Sequence, residues 1–194
     1  MKTLLIFLIK DNRECRLLRI NSQDNSDELH QMQQIVHGLI ECVGVYRDDM
    51  TSYPTEFDFE KRHTGEQSTT GYELICNEEF LFEPNAEENY AASFLCRQLI
   101  KGDTFLVLAN YETGEFESID PHSKSFRVIV NALCKDGIEA LIEQCPYDDL
   151  SPESYSEWYN SILDALVNNL IDNIEDFEPL PITAYNEFLK QPPF

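Results

Sequence analysis

The stretch Gly71 to Asn85, GYELICNEEFLFEPN, constrains the chain most. Tyr72 to Cys76 reads as a buried strand, Asn77-Glu78-Glu79 as a tight acidic turn, and Phe80 to Phe82 as a short strand ended by Pro84. A strand this apolar needs partners on both sides and cover on both faces. The flanking sequence supplies them. Thr3 to Ile9 is an unbroken apolar run, fitting a central strand, and Glu14 to Ile20 follows a turn at Asp11-Asn12. Cys15, Leu17 and Arg19 lie on one face of that second strand, Arg16, Leu18 and Ile20 on the other. Asp103 to Ala109 is a further strand, turned by Glu112-Thr113-Gly114 into a hairpin with Phe116 to Ile119.

Helices alternate with these strands. Asn25 or Ser26 caps a helix with Asp27 and Glu28 in its first turn, where the dipole favours acids. Leu29, Met32, Ile35, Val36 and Leu39 give it an apolar face, and Gly38 reads as its left-handed stop. Leu39 to Tyr46 reads as a strand, with Gly44 at a bulge or close approach. Asn85 is placed to cap a short helix through Ala92. Between Arg47 and Thr70 the chain turns polar and carries Lys61-Arg62-His63, as a long insertion or loop does. The fold class expected is α+β: a small mixed sheet with one or two packed helices over residues 1–120, followed by an all-helical acidic extension over 121–194.

In the extension, Ser123 or Ser125 opens a helix, Asp136 to Cys145 holds a second, and Tyr147 to Leu150 links to a third. Ser151 at the N-cap and Pro152 at the first helical position start that third helix, which the spacing carries to Asp176. Tyr155, Trp158, Tyr159, Ile162, Leu163, Leu166, Val167, Leu170, Ile171 and Ile174 form its apolar stripe. The stripe is expected to pack on the domain, with Trp158 in the core; a homodimer through the 152–176 helix is the alternative. A last short helix is expected over Ile182 to Leu189.

Charge then limits the function. The 194 residues hold 36 Asp plus Glu against 14 Lys plus Arg, a net −22. Direct binding of DNA or RNA needs a cationic face to neutralise phosphates, and anionic membranes need the same. Both are excluded as direct partners by this balance. A basic protein surface is the natural complement, with solubility alone as the plain alternative. The opening MKTLLIFLIK lacks a cleavage site and reads as a strand rather than a secretory leader. No stretch approaches the roughly 20 apolar residues of a membrane span. Cysteines at 15, 42, 76, 96, 134 and 145 form no C-x-x-C pair, so they read as reduced thiols of a cytoplasmic protein.

Three segments carry a resemblance. ELICNEE, GDTFLVLAN and GEFESI, following the helix that ends near Gly38, resemble the domain of unknown function 3846, whose strands look like LVCNEEG, GTFLVVG and GEFVSL. The likeness covers roughly residues 1–120. Phe80 departs from it, standing where the family has glycine, and so does the insertion from Arg47 to Thr70. The resemblance implies a setting in phages, plasmids and other mobile elements, hence a role in phage–host conflict. It supplies no catalytic residues.

No motif points to chemistry. His30 and His37 are seven apart rather than the four that place two imidazoles on adjacent turns for zinc. His122 lies in a loop without an adjacent nucleophile, and no phosphate-binding glycine motif is present. Glu78-Glu79 and Asp148-Asp149 read as solvated turns. The chain is therefore expected to be non-enzymatic, with no catalytic residue, metal or cofactor. The expected partner-binding set is Asp148, Asp149, Glu153, Glu157, Asp164, Asp172, Glu175 and Asp176. A helix of about 25 residues spans ~38 Å. Duplex DNA of that length carries roughly 22 phosphates. Six helical acids make at most a partial nucleic-acid mimic, so the expected function is inhibition of a host nucleic-acid-binding or defence protein through its basic groove. A small-molecule or nucleotide-signal sponge is the alternative.

Overall fold

A computed structural model describes residues 1–12, 14–45, 70–80, 86–144 and 151–181. Within them lie seven strands and four helices: β1 (Lys2–Ile9), β2 (Cys15–Ser22), α1 (Asn25–Val36), β3 (Ile40–Gly44), β4 (Thr70–Asn77), α2 (Tyr90–Cys96), β5 (Thr104–Asn110), β6 (Glu115–Glu117), α3 (Lys124–Glu143), α4 (Pro152–Asp172) and β7 (Glu175–Asp176). The class is α+β, as the apolar runs require.

All strands join one sheet in the order β3-β4-β5-β1-β2-β7, with β6 paired to β5. Every pairing is antiparallel except β2 with β7. One edge of β5 is shared: Thr104–Leu106 pair with β1, and Leu108–Asn110 pair with β6. Beyond β6 the chain closes onto β1, where Ile119 N–H donates to the Leu5 carbonyl at 2.9 Å.

The sheet is covered on both faces, so its inner strands are apolar on both sides. On one face Leu4, Ile6, Leu8, Leu18, Ile20, Ile75, Phe105 and Val107 pack against Met32, Ile35 and Val36 of α1. On the other, Phe7, Ile9, Leu17, Leu74, Cys76 and Leu106 share one core with α2, α3 and α4. Phe126 of α3 meets Phe7 edge-on at 5.2 Å. The buried Tyr72 hydroxyl lies 3.2 Å from Ser125 Oγ, which lies 3.1 Å from the N-capping Ser123 Oγ. Phe126, Ile129, Val130, Ile138, Ile142, Leu163 and Val167 are therefore built into the core of the sheet that residues 1–120 form.

Several local expectations are corrected. Asp24 caps α1, accepting from Ser26 and Asp27 N–H at 2.9 Å each. The α1 face is rotated: Leu29 and Leu39 are exposed, while Glu28, Gln31 and Gln34 are buried. Each has at least one polar partner, which offsets part of the cost of burial, while Gln31 Oε1 accepts no hydrogen bond among the described residues. Glu28 meets Lys2, Gln31 donates to the Asn21 carbonyl, and Gln34 exchanges two hydrogen bonds with the Leu180 backbone. The left-handed residue after α1 is His37, at φ 60°, not Gly38. Gly38 is needed for space, because a Cβ there would lie 2.4 Å from the Asn77 amide nitrogen. Gly44 stands in regular register opposite Glu73, so no bulge forms there.

Asn77 explains the NEE segment. Its side chain donates to the His37 carbonyl at 3.3 Å and accepts Glu79 N–H at 2.9 Å, while its carbonyl accepts Phe80 N–H at 3.2 Å. Phe80 is buried in the turn rather than starting a strand, and its φ is not positive, so glycine is not required there. The expected strand through Phe82 and the cap at Asn85 fall outside the described residues. The helix there starts later: Asn89 is its N-cap, accepting Ala92 N–H at 3.0 Å, and Glu87 and Glu88 precede it.

After position 120, one continuous helix, α3, replaces the two expected. Gly137 lies within it, with nothing near the position of a missing Cβ. α4 stops at Asp172, capped by Asn173, and does not reach Asp176. Glu175 and Asp176 instead form β7 on the edge of β2, because Arg16 and Arg19 stand there to pair with them. The extension is therefore not purely helical. Trp158 is 40% exposed rather than a core residue. The segments 46–69, 145–150 and 182–194, with the expected insertion, linker and last helix, lie outside the described residues.

Candidate partner-binding surface

The eight acids singled out in the sequence part into three groups. Asp148 and Asp149 lie outside the described residues. Three others are engaged within the chain. Glu175 pairs with Arg16 at 2.5 Å, Asp176 pairs with Arg19 at 2.8 Å, and Asp164 pairs with Arg127, which also donates to Asn160 Oδ1 at 2.9 Å. These pairs are solvent-exposed and contribute about 0–1 kcal/mol each, but they neutralise the acids locally.

The remaining three, Glu153, Glu157 and Asp172, are exposed on the outer side of α4 and make no ion pair among the described residues. Helical spacing puts them within roughly 100° of one another around α4, with Asp172 opposite Leu163 and Glu153 nearest the Val167 edge of the core face.

The antiparallel packing of α3 on α4 adds acids that sequence spacing could not join to them. Arg127 meets Asp164 and Asn131 accepts from the Tyr159 hydroxyl at 2.6 Å, which fixes the pairing. Asp136, Glu139 and Glu143 of α3 therefore lie toward the end where α4 begins with Glu153 and Glu157. Lys135 is the cation there, 3.9 Å from Glu139. Tyr155 and Tyr159 stack at 6.3 Å beside these carboxylates. Burial, and then the negative charge of Glu139, Tyr155, Cys134 and Asp136, pushes the Tyr159 hydroxyl above its usual range. Exposed apolar groups accompany the acids: Tyr155, Trp158, Leu166 and Leu141.

Chemistry finds no comparable assembly. Among the described residues no three His, Cys, Asp or Glu side chains gather to hold a metal ion. His37 Nε2 lies 4.0 Å from Asp103, and His122 is exposed in a turn. Five thiols are free among the described residues. Burial, foremost, pushes Cys15, Cys76 and Cys96 up to about 12, which leaves them protonated and poor nucleophiles near neutral pH. An open cleft of about 430 Å³ is lined by Asp11, Asn12, Glu87, Glu88 and Tyr90. Three of the five lining side chains are carboxylates, beside the Asn12 amide and the Tyr90 hydroxyl.

Comparison with known proteins gives no family-model match and no match among curated proteins. Among solved structures, the crystal structure of the small RNA methyltransferase HEN1 aligns with 73% of this chain at 17% identity and a TM-score of 0.41. This chain spans 18% of the length of that protein. A likeness at that level carries no argument about fold or activity.

Proposed function

We propose that the chain is a non-enzymatic acidic protein ligand. It binds and inhibits a host nucleic-acid-binding or defence protein by entering that protein's cation-lined groove as a partial nucleic-acid mimic. One observation carries this reading. Asp136 and Glu139 of α3 act on Tyr159 of α4, at the end of the α3–α4 pair where exposed Glu153 and Glu157 begin α4 and Lys135 is the described cation. Like charges on one end of a helix pair repel one another, and a cationic surface relieves that repulsion. Grooves that bind nucleic acid are lined by Lys and Arg to meet phosphates, so they have the matching chemistry. The free thiols suit a reducing cytoplasm, and no helix among the described residues is long and apolar enough to cross a membrane. The phage or plasmid setting rests on the resemblance of the ELICNEE, GDTFLVLAN and GEFESI segments.

A nucleotide-signal sponge is the weaker reading. The described cleft places Asp11, Glu87 and Glu88 where a phosphate would have to lie. Capture from bacterial lysate on immobilised protein, washed from about 50 to about 500 mM salt, tests the main reading, because exposed charge contacts weaken with screening. The expected result is a basic protein retained at low salt, released as salt rises, and lost with the Glu153→Gln/Glu157→Gln variant. Retention that the variant leaves unchanged refutes the assignment of this surface. Stabilisation by a nucleotide in a thermal-shift panel, with no basic protein captured, moves the reading to the sponge.

A further inference from the structure

β1 pairs with β2 along its whole length, but on the other edge of β2 only Leu18 and Arg19 pair, with Glu175 and Asp176 of β7. Phe177 N–H then donates to the Arg19 carbonyl at 2.8 Å. Successive strand residues point to opposite faces. On one face Glu175 reaches Arg16 and Phe177 packs on the core beneath α1. On the other, Ile174 packs on the core shared with α3 and α4, and Asp176 reaches Arg19 and Asn21. Further on, Gln34 of α1 holds the Leu180 backbone by two hydrogen bonds. The edge of β2 thus reads an order of residues: apolar, acid, acid, apolar.

The grip on this strap is slight. The Glu175 and Asp176 side chains are 55% and 60% exposed. Exposed ion pairs add little and weaken with salt. Pro179 and Pro181 have no N–H to donate, and the Leu180 side chain lies in solvent. Segments held by few buried contacts open locally, far below the free energy of global unfolding. Nor does the strap use every donor at the edge. Arg16 gives Nη2 to Glu14 and Nη1 to Glu175, while its buried Nε meets no acceptor among the described residues. With the strap away, the outer edge of β2 is a row of unpaired backbone groups, a template for an added strand. Arg16 and Arg19 hold two carboxylates there on a chain of net −22. They act at contact distance, whereas charges beyond ~8 Å are screened at physiological salt.

We propose that residues 174–180 form a detachable, autoinhibitory strap over a strand-docking site, and that an extended segment of a partner protein with the same apolar–acid–acid–apolar order displaces it and pairs with β2. The inference is independent of the acidic-ligand reading, since it concerns cations of this chain and another part of its surface. An incoming strand binds only the open fraction, so its apparent affinity scales with that fraction. Hydrogen exchange at Phe177 N–H passes through the same open state, and its rate scales with the same fraction. The two observables are therefore tied to one another.

The probe is a labelled synthetic peptide of residues 174–181, with a control of the same composition scrambled so that no two acids are adjacent. Binding to full chains is followed by anisotropy at fixed pH and salt, exchange by mass spectrometry, and mass by sedimentation. In the Glu175→Gln/Asp176→Asn chain, Phe177 exchange is expected to rise several-fold while the β1 amides keep their protection. The peptide should bind that chain more tightly than the native one by the same factor, to within about threefold. The scrambled peptide should bind at least about tenfold more weakly. Adding Arg16→Gln and Arg19→Gln should keep the fast exchange and abolish peptide binding. Phe177 exchange as slow as that of β1 in both chains, with the peptide bound by neither, shows a strap fixed in the fold and overturns the proposal. Fast exchange without peptide binding, or binding that does not follow exchange, overturns the docking site. Equal binding of the scrambled peptide reduces the site to charge attraction and also overturns it. Doubled mass without peptide gives the site to the strap of a second copy and overturns the partner strand.

Discussion

Asn77 and Gly38 form a pair whose coupling has a definite sign and size. The Asn77 side chain bonds to the His37 carbonyl at 3.3 Å and to Glu79 N–H at 2.9 Å, and Asn77 is buried. Asn77→Ala removes about 1 kcal/mol of net stabilisation for each bond and leaves partly buried groups unpaired, so it costs roughly 2–3 kcal/mol. Gly38→Ala starts from the opposite sign, because alanine at an ordinary backbone angle lowers the entropy of the unfolded chain and gains about 0.4–1 kcal/mol. Here the new Cβ would lie 2.4 Å from Asn77 Nδ2 and 2.6 Å from Cγ and Oδ1. No contact that short survives, so the amide is expelled and both of its bonds are lost. The expected cost is roughly 2–4 kcal/mol. In the double variant the alanine at position 38 occupies space that the amide has left, and the bonds are lost only once. The double variant should be about 2 kcal/mol more stable than the sum of the single effects. Urea titrations followed by circular dichroism measure all three free energies. Additivity within about 0.5 kcal/mol would refute the claim that Gly38 exists to admit Asn77.

Gln34→Ala should release the segment that follows β7: Leu180 N–H, bonded to Gln34 Oε1 at 2.6 Å, should lose its protection in hydrogen exchange while the β1 amides keep theirs. Unchanged protection at Leu180 would show that β7 alone holds the segment. Alkaline pH should destabilise the fold through its thiols. Burial raises the Cys15, Cys76 and Cys96 thiols to about 12 in the folded state, against about 9 for an exposed thiol, so above pH 9 the folded state binds more protons than the unfolded one. The thiol contribution is intact below pH 9 and is lost as pH climbs toward 12, at about 1.4 kcal/mol per thiol by pH 10. Urea midpoints in reducing buffer should fall between pH 8 and pH 10, less steeply in Cys76→Ala; equal slopes would exclude the thiols. Gly71→Ala should displace the Tyr111 ring, whose hydroxyl would lie 2.4 Å from the new Cβ, and break its bond to Glu73. Because Tyr111 is exposed, the expected cost is only about 1 kcal/mol, read by thermal melting, and a loss above ~3 kcal/mol would contradict that placement.

The parts of the fold that were legible share one property: their burial pattern is set by near neighbours in the chain. The β1 run and TFLVLA on β5 are apolar on both faces and sit in the middle of the sheet. The Glu112-Thr113-Gly114 turn makes the hairpin it promises, with Gly114 at φ 71°. The misread parts depend on partners far away in sequence. Glu28, Gln31 and Gln34 look solvent-facing until Lys2, Asn21 and Leu180 are beside them, and Leu180 is 146 residues from Gln34. Ile174 continues the apolar period of α4, so nothing local ends that helix; β7 forms because Arg16 and Arg19, more than 150 residues earlier, stand at the edge of β2. α3 runs unbroken through Asp136-Gly137, where the sequence suggests the start of a second helix. A helical glycine costs only about 1 kcal/mol, and the buried Ile138 and Ile142 offset it. The candidate surface was half legible for the same reason. Acids on α4 are visible in the sequence, but which are neutralised by an arginine and which are joined by α3 depends on packing.

Internal ion pairs constrain how the excess charge acts. Each pair removes one acid and one base, so Lys2, Lys10, Arg16, Arg19, Arg127 and Lys135 leave the surplus of 22 untouched while using up described cations. The surplus is therefore carried by acids whose counter-charge must come from outside. At physiological salt an exposed charge is screened beyond ~8 Å. Acids of the β5–β6 turn then contribute little to contacts at α4, however much they add to the net charge. On the proposed acidic-ligand reading, the whole molecule would steer a cationic partner at low salt, and at physiological salt only the acids nearest the contact would act on it. On that reading a salt series should change the association rate of a captured partner far more than its dissociation rate, because long-range steering screens and short-range contacts do not; equal changes in both rates would refute it.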